Sequence, residues 1–266
     1  MARKICVSNT KGGCGKTTIC RCLSGELAKT YKKRVLLIDS DPSSNLSLSI
    51  ETLNKPERLF AEMLTEYTDT GDLDDIRKGI VTTPFDGLEI APGTRPALEA
   101  LNKHMEDADF AINFIYRDVL SEIEDRYDYI IFDVSGGGGE GKNLSINSFV
   151  AADYILLPFS ASLDSVHGYS DTMNRIKNLK RDNRQLEYLG TIFTDYKKSY
   201  SKDIIKEKVE SLPGYVPIIF NHTENVENSR IVNKPLAYAY PNSIAAKNFA
   251  EITAYLIEKM DKLEGK

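Results

Sequence analysis

The chain has 266 residues, of which 41% are hydrophobic and 27% are charged, and it carries a formal net charge of −5. This balance is typical of a globular protein with a full core, and it excludes a chain that is basic overall. Since no apolar run approaches the roughly 18 residues of a membrane-spanning helix, we expect a cytoplasmic protein with one domain over residues 1–266.

A glycine-rich loop joins a predicted strand at residues 4–7 to a predicted helix that begins at Thr17. Closely spaced glycines let the backbone turn tightly, and they bring its N–H groups against phosphate oxygens at a helix N-terminus. Only two residues separate Gly12 and Gly15, whereas the common P-loop pattern has four residues at this point. We still predict a nucleotide phosphate site, in which Lys16 reaches the terminal phosphates and Thr17 binds Mg²⁺.

Short apolar runs then alternate with amphipathic stretches along the chain. Predicted strands cover residues 4–7, 34–39, 85–93, 127–133, 151–159, 186–193 and 215–220. Predicted helices cover residues 17–30, part of 56–78, two stretches of 95–126, and residues 165–181, 201–212 and 243–263. Strands that are apolar throughout are typical of parallel strands with both faces covered. The sequence therefore predicts an α/β fold with a doubly wound, mostly parallel sheet and helices on both faces.

Carboxylates end two of the predicted buried strands. Asp39 and Asp41 close the second strand, and Asp133 closes the strand at residues 127–133. Open α/β sheets bind ligands at the carboxyl ends of their strands, and Mg²⁺ prefers oxygen ligands. We predict that Asp133 holds Mg²⁺ through water and that Asp39 is a further metal-site residue. Either Asp39 or Asp41 could instead cap the turn before Pro42.

The segment Lys11-Gly12-Gly13-Cys14-Gly15-Lys16-Thr17-Thr18 resembles the deviant Walker A motif of the ParA/MinD ATPases, and the resemblance extends over most of the chain. It implies a P-loop NTPase that binds ATP and Mg²⁺ and hydrolyses ATP. The extra lysine of that family corresponds to Lys11, which would contact phosphate across an ATP-dependent homodimer. Asp41 would position the attacking water.

The nitrogenase iron protein is a relative that binds its iron–sulfur cluster through cysteines later in its chain, and this chain has no cysteine after Cys22. The residues implied to bind the nucleotide are Gly12, Gly13, Cys14, Gly15, Lys16, Thr17 and Thr18.

The resemblance also implies further contacts in the C-terminal half. Asn221 lies where the family often places residues that contact adenine, although the usual Pro-Arg-Asn sequence is missing.

ParA proteins bind DNA without sequence preference. Residues 170–208 of this chain contain ten Lys or Arg and six Asp or Glu. A solvated helical face is an equal alternative for these charges. A ParB-like centromere-binding partner would stimulate slow hydrolysis, and the ATP-bound protein would associate with the nucleoid. The candidate DNA contacts are Lys197, Lys198, Lys202, Lys206 and Arg230.

Two alternatives to a partition ATPase stay open at this point. Four consecutive glycines, Gly136 to Gly139, follow Asp133 as an extended switch II segment or as a plain flexible insertion. If the four glycines alter switch II, the protein could be a nucleotide-gated scaffold with impaired hydrolysis.

The second alternative, a membrane-associated positioning ATPase of the MinD kind, would use the helix at residues 243–263. We expect that helix to pack on the sheet and no membrane contact, because membrane helices concentrate Lys and Arg on their polar face.

Overall fold

The computed structural model describes residues 1–107, 112–136, 141–160, 163–196, 199–221 and 223–266. Within them the strands are β1 (Arg3–Val7), β2 (Val35–Ser40), β3 (Val81–Thr82), β4 (Leu88–Ala91), β5 (Tyr129–Val134), β6 (Tyr154–Ser160), β7 (Glu187–Tyr196) and β8 (Phe220–Asn221). These eight described strands form one sheet in the order β3-β4-β2-β5-β1-β6-β7-β8. All neighbours are parallel except β3 and β4. The predicted doubly wound, mostly parallel sheet is confirmed.

Helices connect the strands and cover the sheet. They are α1 (Lys16–Lys29), α2 (Phe60–Thr70), α3 (Arg95–Asp107), α4 (Ile115–Ser121), α5 (Lys142–Ala151), α6 (Leu163–Leu179), α7 (Tyr200–Glu210), α8 (Glu224–Ile231), α9 (Leu236–Ala239) and α10 (Ile244–Leu263). Short 3-10 turns lie at Ser47–Ser49, Ile76–Gly79, Ile112–Phe114 and Glu124–Arg126. On β5, Ile130 and Phe132 join one apolar cluster, whereas Tyr129 and Ile131 join the other. Since neighbouring strand residues point to opposite faces, both faces of the sheet are covered, as the apolar strands predict.

The terminal helix α10 packs into the core. Phe249, Ile252 and Leu256 are at most 1% exposed, and they share a cluster with Ile5 and Val7 of β1. The apolar face that a membrane helix would offer is therefore covered by the sheet. Among the described helices, none combines the length and the apolar character needed to cross a bilayer.

The strand expected at residues 215–220 is wrong for most of its length. Extended pairing there is limited to an isolated bridge between Thr191 and Tyr215 and to the two residues of β8. Pro217 has no N–H to donate to a neighbouring strand, and the chain turns beside it, with the Ile218 N–H donating to the Val216 carbonyl at 2.7 Å. The apolar run therefore packs without continuing the ladder.

Sequence analysis also missed β3, α8 and α9. The two residues of β3 lie antiparallel at the sheet edge, and α9 has only four residues. The sequence of α8, Glu-Asn-Val-Glu-Asn-Ser-Arg-Ile, is mostly polar and shows no apolar repeat. Hydrophobic periodicity cannot detect elements of this kind. This matters for function, because α8 lies at the candidate site.

An ion-pair cluster fixes the end of α10 to the start of β1. Arg3 donates from Nε to Glu264 Oε1 at 2.7 Å and from Nη2 to Asp261. The Tyr154 hydroxyl donates to the same Glu264 oxygen at 2.8 Å. The hydrogen bonds from Arg3 are the main reason that the pKa of Glu264 falls to about 2.

We expect Glu264→Gln to lower the free energy of unfolding by about 1 kcal/mol at neutral pH. Because the folded-state pKa lies below the usual value of about 4.3, the wild-type advantage is complete above that value and is lost as the pH falls toward 2. Urea unfolding at pH 7 and pH 3 measures the change. The control is Glu258→Gln, since Glu258 is 65% exposed and its ion pair within the described part of the chain is with its helix neighbour Lys262. A gap between wild type and Glu264→Gln that is equal at both pH values would contradict this account.

Candidate nucleotide site

The candidate site lies at the carboxyl ends of β1, β2 and β5. Val7 at the end of β1 pairs in register with Asp133 of β5, and Asp133 pairs on its other side with Asp39 of β2. Both carboxyl groups are buried, with side chains 3% exposed at Asp39 and 0% exposed at Asp133. The parallel register thus brings the two strand-end carboxylates together beside the loop that follows β1.

Hydrogen bonds from neighbouring strands hold that loop. Asn9 Nδ2 donates to the carbonyl of Pro158 in β6 at 2.8 Å, and Asn9 Oδ1 accepts from the Lys11 N–H at 3.0 Å. On the far side of the loop, the hydroxyl of Thr194 in β7 donates to the Cys14 carbonyl at 2.9 Å. The loop is therefore shaped by β6 and β7 as well as by its own glycines.

Two glycines of the loop have backbone angles that favour glycine. Gly13 has φ 71° and Gly15 has φ 94°, both in the left-handed region. Gly15 is also the N-cap residue of α1, so the loop runs directly into the helix. The N–H groups of the first helical turn have no partner within the helix, and the helix dipole favours negative charge there. These are the features of a phosphate site.

Lys16 and Thr17 occupy the first turn of α1. The Lys16 side chain is 7% exposed, and its Nζ donates to the Lys11 carbonyl at 3.2 Å across the loop. The Thr17 hydroxyl donates to Asp133 Oδ2 at 2.6 Å. These contacts place one cation and one hydroxyl beside the loop.

The oxygens of Thr17 and Asp133 fit Mg²⁺. The second oxygen of Asp133, Oδ1, is buried and has no hydrogen-bond partner among the described residues. The described part of the chain contains no cluster of three or more His, Cys, Asp or Glu residues suited to a metal. Mg²⁺ commonly takes one or two protein oxygens and completes its shell with water and substrate phosphates, so one hydroxyl and one carboxylate suffice.

Burial also disfavours negative charge on these carboxylates. It raises the pKa of Asp133 and of Asp39, and their mutual repulsion raises the pKa of Asp133 further. The positive charge of Lys16 acts in the opposite direction on Asp133. An added cation at Asp133 would relieve the same cost.

Asp39 holds the segment that follows β2. Its Oδ2 accepts from the N–H of Ser47 at 2.8 Å and from the Ser47 hydroxyl at 2.6 Å, and its Oδ1 accepts from the Asp41 N–H at 3.2 Å. The predicted metal-site role of Asp39 therefore competes with a role in shaping this segment. Asp41 is half-buried, and its Oδ1 accepts from the Ser43 N–H at 2.9 Å, which is the turn contact that the sequence left open.

Two adjoining cavities surround the loop. The larger, of about 430 Å³, is lined by residues that include Lys16, Thr17 and Asp41. The smaller, of about 250 Å³, adjoins Thr18 and is more apolar in character, with Phe220 among its walls. A triphosphate chain and a base would require such neighbouring spaces. The smaller cavity is lined by Gly13, Cys14, Gly15, Thr18, Thr194, Phe220, Asn221, Thr223, Val226 and Glu227.

The predicted base contact Asn221 thus lies beside the phosphate loop. Sequence reasoning missed Thr194 and the α8 residues Val226 and Glu227, which line the same cavity. The position of Thr194 near the carboxyl end of β7 is a signal that could have found it, since ligand groups gather at such strand ends. Nothing in the sequence marks Val226 or Glu227, because α8 has no apolar repeat.

The predicted DNA-contact residues fall in separate places. Lys202 and Lys206 lie on α7, where Lys206 Nζ is 3.6 Å from Glu210 and 5.9 Å from the ring centre of Tyr196. Arg230 lies instead on the wall of the larger cavity, where Nη2 donates to Asn45 Oδ1 at 3.4 Å. Lys197 and Lys198 are outside the described residues.

The start of the glycine run touches the phosphate loop. A Cβ on Gly136 would lie 2.7 Å from the carbonyl oxygen of Thr10, which is closer than van der Waals contact allows. Gly136 is therefore required by a close approach of the two loops. Gly137, Gly138 and Gly139 are outside the described residues.

Comparison with known proteins gives a family match and related chains. The family model AAA_31, described as an AAA domain, matches residues 2–188. The chromosome partitioning protein ParA of Myxococcus xanthus is 30% identical over 218 residues, which cover 81% of this chain and 72% of that protein. The cell division ATPase MinD of Pyrococcus furiosus aligns with a TM-score of 0.74 and 23% identity over 99% of this chain and all of that chain (100%).

A further solved structure aligns as well. Cobyrinic acid a,c-diamide synthase of Mycobacterium smegmatis, with a bound ATP analogue and magnesium, has a TM-score of 0.76 and 21% identity over 98% of this chain and 96% of that chain. The likenesses to the two solved structures show the shared fold, and the sequence matches show the relationship. The chain therefore belongs to the ParA/MinD family of P-loop ATPases.

Proposed function

We propose that this protein is a DNA partition ATPase that dimerises around ATP, binds DNA without sequence preference and hydrolyses ATP slowly until a partner stimulates it. One observation carries the proposal. The phosphate loop itself bears Lys11, Lys16 and Thr17, and two carboxylates lie beside it. Asp133 accepts from the Thr17 hydroxyl, and Asp41 lines the same cavity as Lys16 and Thr17. The named partition relative supports the same role.

Phosphoryl transfer to water depends mainly on positioning and on charge neutralisation. The N–H groups at the start of α1 and the Lys16 ammonium bind the phosphates. Mg²⁺ bound at Thr17 and Asp133 would supply further positive charge to the phosphates. Asp41 lines the same cavity and orients or deprotonates the attacking water.

Lys11 acts on the nucleotide of a second subunit. Within its own loop, Lys16 already supplies the phosphate cation, and the Lys11 carbonyl is what Lys16 contacts. A cation delivered in trans resembles an arginine finger, which neutralises charge only in the assembled complex. Dimerisation then depends on ATP, and DNA binding follows dimerisation. The lysines of α7, together with Lys197 and Lys198, contact DNA phosphates.

The packing of α10 favours partition over membrane positioning. A helix that binds a membrane surface must present its apolar face, and here Phe249, Ile252 and Leu256 are buried against the sheet. A ParB-like protein bound to the cargo DNA is the proposed stimulating partner. Measured ATP turnover separates this enzyme from a scaffold that only binds nucleotide.

Co-sedimentation with DNA tests the proposal. We expect binding with ATP but not with ADP or without nucleotide, and a loss of binding in Lys11→Ala because the dimer no longer forms. A double substitution of Lys197 and Lys198 by alanine should weaken DNA binding about tenfold, and raised salt should weaken wild-type binding, because the contacts are to phosphates.

The matched control changes two exposed lysines elsewhere, Lys55→Ala with Lys103→Ala. This variant should bind DNA as the wild type does. DNA binding that is independent of ATP, or that neither the Lys11 nor the Lys197/Lys198 variant alters, would refute the partition mechanism. Sedimentation with anionic lipid vesicles in place of DNA would indicate the membrane alternative.

A further inference from the structure

Arg21 is a buried cation on α1 that the proposed chemistry does not use. Its side chain is 2% exposed, and Nη2 donates to the Lys234 carbonyl at 2.7 Å and to the Ser229 hydroxyl at 3.3 Å. Its Nε has no hydrogen-bond partner among the described residues. None of its described hydrogen-bond partners is a carboxylate.

A buried guanidinium without a carboxylate partner is not expected to add to the free energy of unfolding. Burial lowers the pKa of Arg21, since the charged form loses its hydration. Replacing a buried charge by an apolar side chain of similar volume is often neutral or stabilising. The contacts of Arg21 therefore need an explanation other than the stability of the core.

The position of Arg21 supplies that explanation. Arg21 lines the larger cavity, and it lies on the helix whose first turn carries Lys16 and Thr17. Its two acceptors bracket the C-terminal end of α8, since Ser229 is in that helix and Lys234 follows it. The wall of both cavities includes Glu227 of α8.

A second contact extends this link to the smaller cavity, which the proposed function assigns to the base. The Ser229 hydroxyl, which accepts from Arg21, donates to the carbonyl of Val226 at 2.7 Å. Val226 lines the smaller cavity. A short chain of hydrogen bonds thus connects Arg21 with the wall that faces the base.

We propose that Arg21 is a positioning residue that holds α8 against the nucleotide site and so sets how tightly the nucleobase is bound. This inference rests on the proposed function, because it takes the bound ligand to be ATP. Arg21 acts through Ser229 and Val226, so its removal should loosen the wall of the smaller cavity that α8 forms and leave the phosphate loop in place.

Binding of ATP and of inorganic triphosphate, each with Mg²⁺, separates these two effects. For Arg21→Met, titration calorimetry should show ATP affinity reduced about tenfold and triphosphate affinity changed less than about twofold. Urea unfolding should give a stability equal to or higher than that of the wild type. A general loss of folding would lower the affinity for both ligands by the same factor. The ratio of the two affinities therefore shows whether Arg21 positions the wall of the smaller cavity.

Two further variants sharpen the result. Lys29→Met is the matched control, because Lys29 of the same helix donates to the Ala237 carbonyl at 2.6 Å and lines neither cavity. It should leave both affinities unchanged. Arg21→Lys keeps one charged donor for the Lys234 carbonyl, so it should recover part of the ATP affinity. If Arg21→Met does not fold, the ratio in Arg21→Lys decides, and it should lie between the wild-type value and one.

Equal losses for both ligands, or an unchanged ratio in either Arg21 variant, would overturn the inference. The proposed function would survive those results, provided that the wild type binds ATP. A wild-type protein that does not bind ATP would refute both proposals.

Discussion

Replacing Lys16 by methionine should reduce ATP hydrolysis by at least about 100-fold, because the loop loses the cation that stabilises the transferring phosphoryl group. The ammonium reaches across the loop to the Lys11 carbonyl at 3.2 Å, so it is held at the loop that we propose binds the terminal phosphates. Methionine keeps much of the side-chain length and removes a largely buried charge. The free energy of unfolding should therefore stay the same or rise, which separates catalytic loss from misfolding.

Phosphate release and urea unfolding, measured on the same preparations, check this result. Lys29→Met is again the control, since it removes a lysine from the same helix outside both cavities. It should retain full hydrolysis, although loss of the bond to the Ala237 carbonyl lowers stability. Hydrolysis above about a tenth of the wild-type rate in a folded Lys16→Met protein would contradict the role given to Lys16.

The phosphate loop was predictable because its chemistry is local. Gly13, Gly15, Lys16 and Thr17 lie within five positions, and the loop, the helix start and the cation all follow from that short pattern. The contact between Thr17 and Asp133 spans 116 positions, yet their proximity could also be predicted from the sequence. Parallel strands end at one edge of a sheet, so a strand-ending carboxylate is expected near a loop that leaves a neighbouring strand.

The side of the smaller cavity that α8 forms was not predictable for the converse reason. Arg21 meets Ser229 and Lys234 because the chain at the end of α8 returns to the Arg21 side chain, 208 positions later at Ser229. No periodic pattern in α8 predicts that contact. Arg230 was grouped with the DNA contacts by the family resemblance, which points to basic residues of the C-terminal half and does not say where each side chain lies. The structure places it beside Asn45 at the larger cavity.

Asp41→Asn separates the two roles that the sequence left open for this carboxylate. In the wild type, Asp41 Oδ1 accepts from the Ser43 N–H at 2.9 Å, and the Asp41 carbonyl accepts from the Ser44 N–H at 2.8 Å. Asparagine has the same shape and can accept the same bonds, so this substitution keeps the turn and removes the charge.

We expect hydrolysis by Asp41→Asn to fall roughly 100-fold or more, while ATP affinity stays within about threefold of the wild type. Single-turnover phosphate release and equilibrium titration measure the two quantities. If the carboxylate only shapes the turn, Asp41→Asn would keep its activity and Asp41→Ala would lose it. That pattern would contradict a role for Asp41 in activating water.

The same variant decides whether Lys11 works across the dimer. When Asp41→Asn and Lys11→Ala proteins are mixed, a mixed dimer has one site that keeps its own Asp41 and receives Lys11 of the partner subunit. That site is complete if the lysine acts in trans, whereas no site is complete if it acts within its own subunit. Lys11→Ala does not pair with itself, but a mixed dimer keeps one of the two cross-subunit lysines and can form. An equal mixture should therefore regain hydrolysis, to at most about half of the wild-type rate, because each mixed dimer has one working site of two. Activity plotted against the mixing ratio should peak near equal amounts, and a straight line between the two inactive proteins would exclude action in trans.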